Sequence, residues 1–341
     1  NMTLVNYAFG GATSSNDDSP SNDANGGSQS VPSVLDQMDA FLSNNTHIKD
    51  KEDDLVAIEV GSNNIFHLLN NETPTGLTNI TEKLQETSDN LVSDIEHALE
   101  KMADAGYTNY LVWLLPPLYR TSLFASAPDV VKTTVSSIVN STNSATISAL
   151  DSYKNANPDK VKSLNYFDID AFATFILNEP AILAALNITD TNATAIGACG
   201  SADTNNATQP CPEGYTHFYV DGIHPSARVQ FLAGIACNEI INNNFELDVN
   251  YIISLIKKYN IGQATADNNI LADNHIKNDG DYVEGNDNNS SGISDDDDDD
   301  DDDGDYGSSS DAARILAMGG SAGIPVMIAS LAFTIFSAST A

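Results

Sequence analysis

The chain has 341 residues, of which 41% are hydrophobic, and a formal net charge of −34 at pH 7. This length and apolar content are sufficient for a substantial core in one or two domains. The 14 Lys and Arg residues are not clustered, which argues against nucleic-acid binding, because neutralising phosphates requires clustered cations. Residues 262–311 carry 17 of the 48 acidic side chains, so the rest of the chain is acidic but not exceptional.

The pattern of apolar residues divides positions 2–259 into alternating strands and helices. Residues 55–60 form a continuous apolar run, which is typical of a strand inside a parallel sheet. Further strands are predicted at 2–6, 109–115 and 164–169, and helices at about 35–42, 76–105, 129–153, 225–240 and 249–259. Strands that alternate with helices predict a parallel sheet, whose active site lies at the carboxyl ends of the strands.

The periodicity ends at about residue 262. Nine consecutive aspartates, Asp295 to Asp303, lie in a background of Gly, Asn, Ser and Asp. Self-repulsion and low hydrophobicity predict a disordered, solvated linker over residues 262–311. Weak calcium binding is the alternative, although the segment contains no EF-hand pattern.

Residues 312–341 have a different character. The small residues Gly307, Ser308, Ser309 and Ser310 precede a short polar stretch and then an apolar run from Ile324 to Phe336. This order predicts a glycosylphosphatidylinositol attachment signal, and a transmembrane helix is the alternative. The chain is therefore expected at the cell surface, held to the membrane through a lipid anchor.

Glycosylation and cysteine spacing agree with secretion. Ten Asn-x-Ser/Thr sequons begin at Asn1, Asn44, Asn71, Asn79, Asn140, Asn187, Asn192, Asn206, Asn288 and Asn289. Cys199 and Cys211 bracket a Gly/Asn/Thr-rich loop, where a disulfide is predicted and two free thiols are the alternative. Cys237 lies in a helical pattern, either as a buried small residue or as the partner of a cysteine upstream of Asn1.

A catalytic loop is indicated by Asp221-Gly222-Ile223-His224-Pro225-Ser226. The Asp221 carboxylate, three residues before His224, is able to orient the imidazole, which leaves the other ring nitrogen free to accept a proton from a nucleophile. Two further segments lie upstream of this loop: Asn6-Tyr7-Ala8-Phe9-Gly10-Gly11-Ala12-Thr13-Ser14 and Glu59-Val60-Gly61-Ser62-Asn63-Asn64. Both follow predicted strands.

Together these segments resemble the SGNH (GDSL-type) hydrolases over residues 1 to about 241, and most of all secreted fungal carbohydrate esterases that remove acetyl groups. The resemblance implies a flavodoxin-like three-layer sandwich and ester hydrolysis by a Ser-His-Asp triad. It assigns the oxyanion donors to Gly11 and Asn63, and the triad acid and base to Asp221 and His224. The usual G-x-N-D reads G-S-N-N here, so Asn64 replaces an acid and the hydrogen bonds that support this loop need another source.

The resemblance also implies that the nucleophilic serine lies upstream of Asn1, on the loop after a first strand that is missing from this chain. That strand would lie between those at 2–6 and 55–60, so both are expected to lose a partner and the chain as written to be inactive. The predicted domains are thus a truncated esterase domain at 1–261, the linker at 262–311 and the anchor signal at 312–341.

Other functional patterns are weaker. Gly319-Gly320-Ser321-Ala322-Gly323 matches G-x-S-x-G but follows no predicted strand. Five histidines outside the catalytic loop have no metal-ligand spacing, so neither a metal nor a cofactor is expected: His47, His67, His97, His217 and His275. Aromatic residues at strand ends either line a sugar or acyl pocket or pack in the core: Tyr7, Phe9, Trp113 and Tyr119.

The partner is expected to be an ester substrate, in particular an acetylated polysaccharide, and the protein a monomer at the cell surface or fungal cell wall. Two alternatives remain open at this stage. One is a non-catalytic wall protein that carries a hydrolase-like domain on an anchored stalk, and the other is a lipid acyl hydrolase.

Overall fold

The computed structural model describes residues 2–17, 31–46, 48, 51–71, 80–192, 215–220, 223–264 and 333–338. In these ranges the strands are β1 (Met2–Asn6), β2 (Leu55–Glu59), β3 (Asn109–Trp113), β4 (Ser163–Phe167) and β5 (Phe333–Ala338). The helices are α1 (Val34–Asn44), α2 (Ser62–Asn71), α3 (Ile80–Asp104), α4 (Asp129–Ala156), α5 (Ile169–Asn178), α6 (Pro180–Ala185), α7 (Ala227–Ile241) and α8 (Val249–Lys258).

The strands form one sheet in the order β1-β5-β2-β3-β4. Strands β2, β3 and β4 are parallel and in register, with Leu55 opposite Asn109 and Asn109 opposite Ser163. Because β5 is antiparallel to both β1 and β2, β1 runs in the same direction as the other three strands. The carboxyl ends of β1 to β4 therefore meet at one edge of the sheet, and the predicted α/β class with a parallel sheet is confirmed.

Strand β5 lies between β1 and β2, where the sequence predicts a missing strand. It pairs with β1 from Asn6–Thr334 to Met2–Ala338, and with β2 through Leu55–Phe336 and Ile58–Phe333. The expectation that β1 and β2 lack partners on their facing edges is wrong, because β5 forms backbone ladders with both. The sequence of β5, Phe-Thr-Ile-Phe-Ser-Ala, is rich in the β-branched and aromatic residues that strands prefer.

Two apolar clusters cover the two faces of the sheet, because successive strand side chains point to opposite sides. On one face, Val56, Ile58 and Val112 pack with residues of α1, α3 and α4. On the other face, Trp113 and Phe167 pack with residues of α5 to α8, and their ring centroids are 4.6 Å apart. Trp113 is only 2% exposed, which confirms core packing as its role.

A buried arginine anchors the start of α7. Arg228 is 2% exposed, and its Nη1 donates to the carbonyl oxygens of Leu186 (3.0 Å) and Asn187 (2.9 Å). Its Nε donates to the carbonyl of Ala264 at 3.2 Å. Burial lowers the pKa of this guanidinium. Since Arg228 is only four residues beyond His224, these bonds also fix the position of the catalytic loop.

Several predictions concern residues outside the described ranges: Cys199, Cys211, Asp221, and the attachment region Gly307, Ser308, Ser309 and Ser310. Cys237 is described; it is buried and unpaired, and burial raises the pKa of its thiol. Within the described part of the chain, no helix combines the length and apolar character that membrane crossing requires.

Candidate active site at the carboxyl edge of the sheet

The turn after β1 places Gly11 at the carboxyl edge. Gly11 has a φ of +86°, a left-handed conformation that glycine adopts without strain. The turn is closed by a hydrogen bond from the Ala12 N–H to the Phe9 carbonyl at 3.3 Å. The side chain of Asn6 also accepts a hydrogen bond from the Ala8 N–H at 2.9 Å, which supports the turn from β1.

The turn after β2 requires glycine for two reasons. Gly61 has a φ of +120°, and a Cβ atom there would lie 2.5 Å from Leu91 and 2.7 Å from Leu115. Helix α2 begins directly afterwards and carries Asn63 in its first turn. The Asn63 amide donates to the Ala12 carbonyl at 2.9 Å, so the structure brings the Asn63 and Gly11 turns together. An amide NH2 has two N–H donors, and the second is available for a substrate oxygen.

The two turns are joined by a second, buried network. The Ser14 N–H donates to Asn64 Oδ1 at 3.2 Å, and Asn64 Nδ2 donates to Ser14 Oγ at 2.8 Å. The Ser14 hydroxyl in turn donates to Asp94 Oδ2 at 2.6 Å. Asn64 thus supports the turn after β1, and Asp94 of α3 supplies the carboxylate that Asn64 lacks. This network provides the supporting hydrogen bonds that the sequence G-S-N-N required from another source.

His224 lies just before α7 and is exposed. Its carbonyl accepts a hydrogen bond from the Val220 N–H at 2.9 Å, and Tyr219 forms a β-bridge with Pro225. The Ser226 N–H donates to the Phe218 carbonyl at 2.7 Å and completes a tight return of the chain. The residues on both sides of Asp221 are therefore fixed, with the imidazole on the accessible side of the carboxyl edge.

Glu59 is the last residue of β2, two residues before Gly61. Burial raises the pKa of the Glu59 carboxyl to about 7, an effect that the positive charge of His224 partly offsets. His224 therefore lies within electrostatic range of the end of β2. Glu59 was not predicted as a site residue. An acidic residue at the end of an otherwise apolar strand is the feature of the sequence that indicates it.

Two serines near these residues are closed to substrate. Ser14 is 1% exposed and its hydroxyl is bonded to Asp94, whereas Ser226 is 0% exposed. A nucleophile must be accessible, so neither hydroxyl fits that role. The described residues include the predicted base, His224, and the predicted oxyanion donors, Gly11 and Asn63.

A second group of polar residues lies where β3 and β4 end, and we call Tyr119, Arg120, Asp170 and Tyr219 the β3–β4 cluster. The Tyr119 hydroxyl donates to Asp170 Oδ1 at 3.2 Å, and the Arg120 guanidinium lies 5.8 Å from the centre of the Tyr119 ring. Burial raises the pKa of Asp170, an effect that the bond from Tyr119 and the charge of Arg120 oppose. Burial likewise raises the pKa of Tyr219 to about 12, with Arg120 opposing the shift.

A mostly parallel sheet with helices on both faces, and with the Gly11 and Asn63 turns joined at its carboxyl edge, is consistent with the fold of the SGNH hydrolases. The chain matches the family model described as GDSL-like Lipase/Acylhydrolase over residues 1–234. It belongs to this family, and its general activity is ester hydrolysis. A comparison with curated proteins gave no match. Among the described residues, no group of three or more His, Cys, Asp or Glu is arranged to hold a metal ion.

Proposed function

We propose that this protein is a serine esterase that removes acetyl groups from carbohydrate. The observation that supports this proposal is the hydrogen bond that joins the Gly11 and Asn63 turns at the carboxyl edge, with His224 within electrostatic range of Glu59, in a chain of the acylhydrolase family. A base and oxyanion donors, together with a nucleophile, are the parts that acyl transfer requires.

In the proposed reaction, His224 accepts the proton of a serine hydroxyl as the serine oxygen attacks the ester carbonyl. The Gly11 N–H and the free N–H of Asn63 stabilise the negative oxygen, and such donors are worth about 3 kcal/mol each. The resulting imidazolium gives its proton to the departing alcohol, and water then releases acetate by the same steps. Asp221 orients His224 in this proposal, and the position of the serine stays a prediction.

We also propose that the protein is secreted and carries a lipid anchor near Gly307 to Ser310. The small residues there and the apolar run from Ile324 to Phe336 support this proposal. Strand β5 includes part of that run and has a competing role in the sheet. Recovery of the peptide 324–336 from the mature protein would contradict anchoring, whereas release from membranes by a phosphatidylinositol-specific phospholipase would support it.

A serine-directed fluorophosphonate tests the catalytic proposal on the full-length protein. We expect covalent labelling that is lost in His224→Ala and retained in His97→Ala, a matched change of an exposed histidine on α3. Asn63→Ala is expected to lower kcat for an acetyl ester by about 10²-fold or more. An unlabelled full-length protein with no esterase activity would favour the non-catalytic wall protein, and preference for long acyl chains would favour a lipid hydrolase.

A further inference from the structure

The β3–β4 cluster contains buried polar atoms that the fold does not pair. The Tyr219 hydroxyl and the Arg120 Nε are buried, and neither has a hydrogen-bond partner in the structure. Arg120 also lies within electrostatic range of Tyr219. Leaving a buried polar atom unpaired costs about 1–3 kcal/mol, so these two neighbouring atoms point to a ligand that pairs with them.

The cluster also lies where the alcohol part of a bound ester is expected. Gly11 and Asn63 follow β1 and β2, so the ester carbonyl is held at that side of the edge. His224 precedes α7, whose residues pack on the face of the sheet that carries Trp113 of β3 and Phe167 of β4. Because His224 protonates the departing oxygen, the alcohol part of the ester extends towards the ends of β3 and β4. This step rests on the proposed esterase function.

The charges and hydrogen-bonding groups of the cluster indicate which kind of alcohol it is able to bind. Arg120 and Asp170 have opposite charges, so an anionic or a cationic ligand is repelled by one of them. An apolar chain would leave Tyr219 and Arg120 unpaired in a dry environment, which is costly. A neutral polyol fits, because its hydroxyl groups donate to the carboxylate and accept from the guanidinium fork.

We propose that Tyr119, Arg120, Asp170 and Tyr219 form a subsite for the sugar hydroxyl groups of a neutral carbohydrate ester. In this subsite Arg120 and Tyr219 donate to sugar oxygens, and Asp170 accepts from sugar hydroxyls. The Tyr119 hydroxyl holds Asp170 in place, and its ring packs beside Arg120.

The test compares two acetyl esters: an acetylated methyl glucopyranoside, and ethyl acetate, which offers no further hydroxyl groups. The measured quantity is the ratio of their kcat/KM values on the full-length protein. We expect this ratio to fall about fivefold in Tyr219→Phe, since a hydrogen bond is worth about 1 kcal/mol, and further in Asp170→Asn, since bonds to charged groups are stronger. Tyr166→Phe is the matched control, because Tyr166 is an exposed tyrosine on β4, 38% accessible to solvent.

Three results would overturn the subsite. They are an unchanged ratio in both variants, an equal loss for both esters, and a loss in Tyr166→Phe as large as that in Tyr219→Phe. If neither ester is hydrolysed, binding of methyl β-D-glucopyranoside is measured by saturation-transfer NMR. Binding that disappears in Asp170→Asn would then support the subsite while contradicting the proposed esterase, and absence of binding would contradict both.

Discussion

On the β1–β2 side of the carboxyl edge, the buried hydroxyl of Ser14 donates to Asp94 and accepts from Asn64. On the β3–β4 side, the buried hydroxyl of Tyr219 has no partner. Both hydroxyls are almost fully excluded from solvent, at 1% and 4% exposure. The difference agrees with the proposal that the Ser14 hydroxyl serves the fold, whereas the Tyr219 hydroxyl is arranged to bind substrate.

This division agrees with the chemistry expected at each side. An oxyanion is stabilised by donors whose positions do not change during the reaction, and hydrogen bonds between the turns after β1 and β2 provide that rigidity. A substrate subsite instead requires donors and acceptors that are left open in the free protein. Glu59 ends β2, the strand of the first side that is next to β3.

The largest effect is expected at Glu59 and depends on pH. The folded protein holds the proton of this carboxyl up to about pH 7, whereas an ordinary glutamate releases it near 4.5. The folded state therefore binds more protons in that window, and its stability falls as pH rises from 4.5 through 7, by roughly 3 kcal/mol at most. Below pH 4.5 this carboxyl adds no pH dependence to the stability, because it is protonated in both the folded and the unfolded state.

Urea unfolding of the wild type and Glu59→Gln at pH 4.5 and pH 8 measures this effect. The variant is expected to lose less stability on going to pH 8, and Glu100→Gln, at an exposed position of α3, is expected to behave like the wild type. Equal pH dependence in all three proteins would show that the Glu59 carboxyl is well solvated. Burial would then not be the cause of a raised Glu59 pKa.

Much of the fold could be predicted from the sequence, because apolar residues recur at spacings typical of alternating strands and helices. The four predicted strands correspond to β1–β4, within two residues at each end. The turns after β1 and β2 were located by their glycines, and the positive φ values of Gly11 and Gly61 give the physical reason. Helix α5 was not predicted, because its apolar residues follow β4 without a break and resemble a continuation of the strand.

Other parts required the three-dimensional structure. Strand β5 lies more than 300 residues from β1 in sequence, and its apolar run has the same composition as an anchor signal. The Asn64–Ser14–Asp94 network joins three distant segments, and only packing of α3 against the turns brings Asp94 to Ser14. The β3–β4 cluster likewise joins the turn after β3, the first turn of α5 and the segment before α7. Spacing within a motif does not report such contacts.

An intermediate effect is expected on the hydrogen-bonded side. Ser14→Ala removes the donor to Asp94 and the acceptor of Asn64, and both partners are buried. Leaving them unpaired is expected to lower the free energy of unfolding by about 2 kcal/mol. Urea unfolding measures this loss, with Ser148→Ala on the exposed face of α4 as the control. A loss no greater than the control's would mean that this side is not stabilised by its network.

The smallest effect is expected on the unpaired side, and it is the most direct test of the comparison. Tyr219→Phe removes a hydroxyl that has no hydrogen bond in the free protein, so the free energy of unfolding should change by less than about 0.5 kcal/mol. Tyr110 provides the matched case, because it is a buried tyrosine whose hydroxyl donates to the Tyr107 carbonyl at 2.5 Å. Tyr110→Phe leaves that carbonyl without this bond and should cost about 1–2 kcal/mol.

Urea unfolding without ligand compares the two variants directly. A loss in Tyr219→Phe as large as that in Tyr110→Phe would mean that the Tyr219 hydroxyl is already satisfied in the free protein. The β3–β4 side would then resemble the β1–β2 side, and the case for an open subsite would fail even if turnover of the sugar ester also fell. A small loss in stability together with a large loss in sugar preference requires instead that the hydroxyl finds its partner only in the complex.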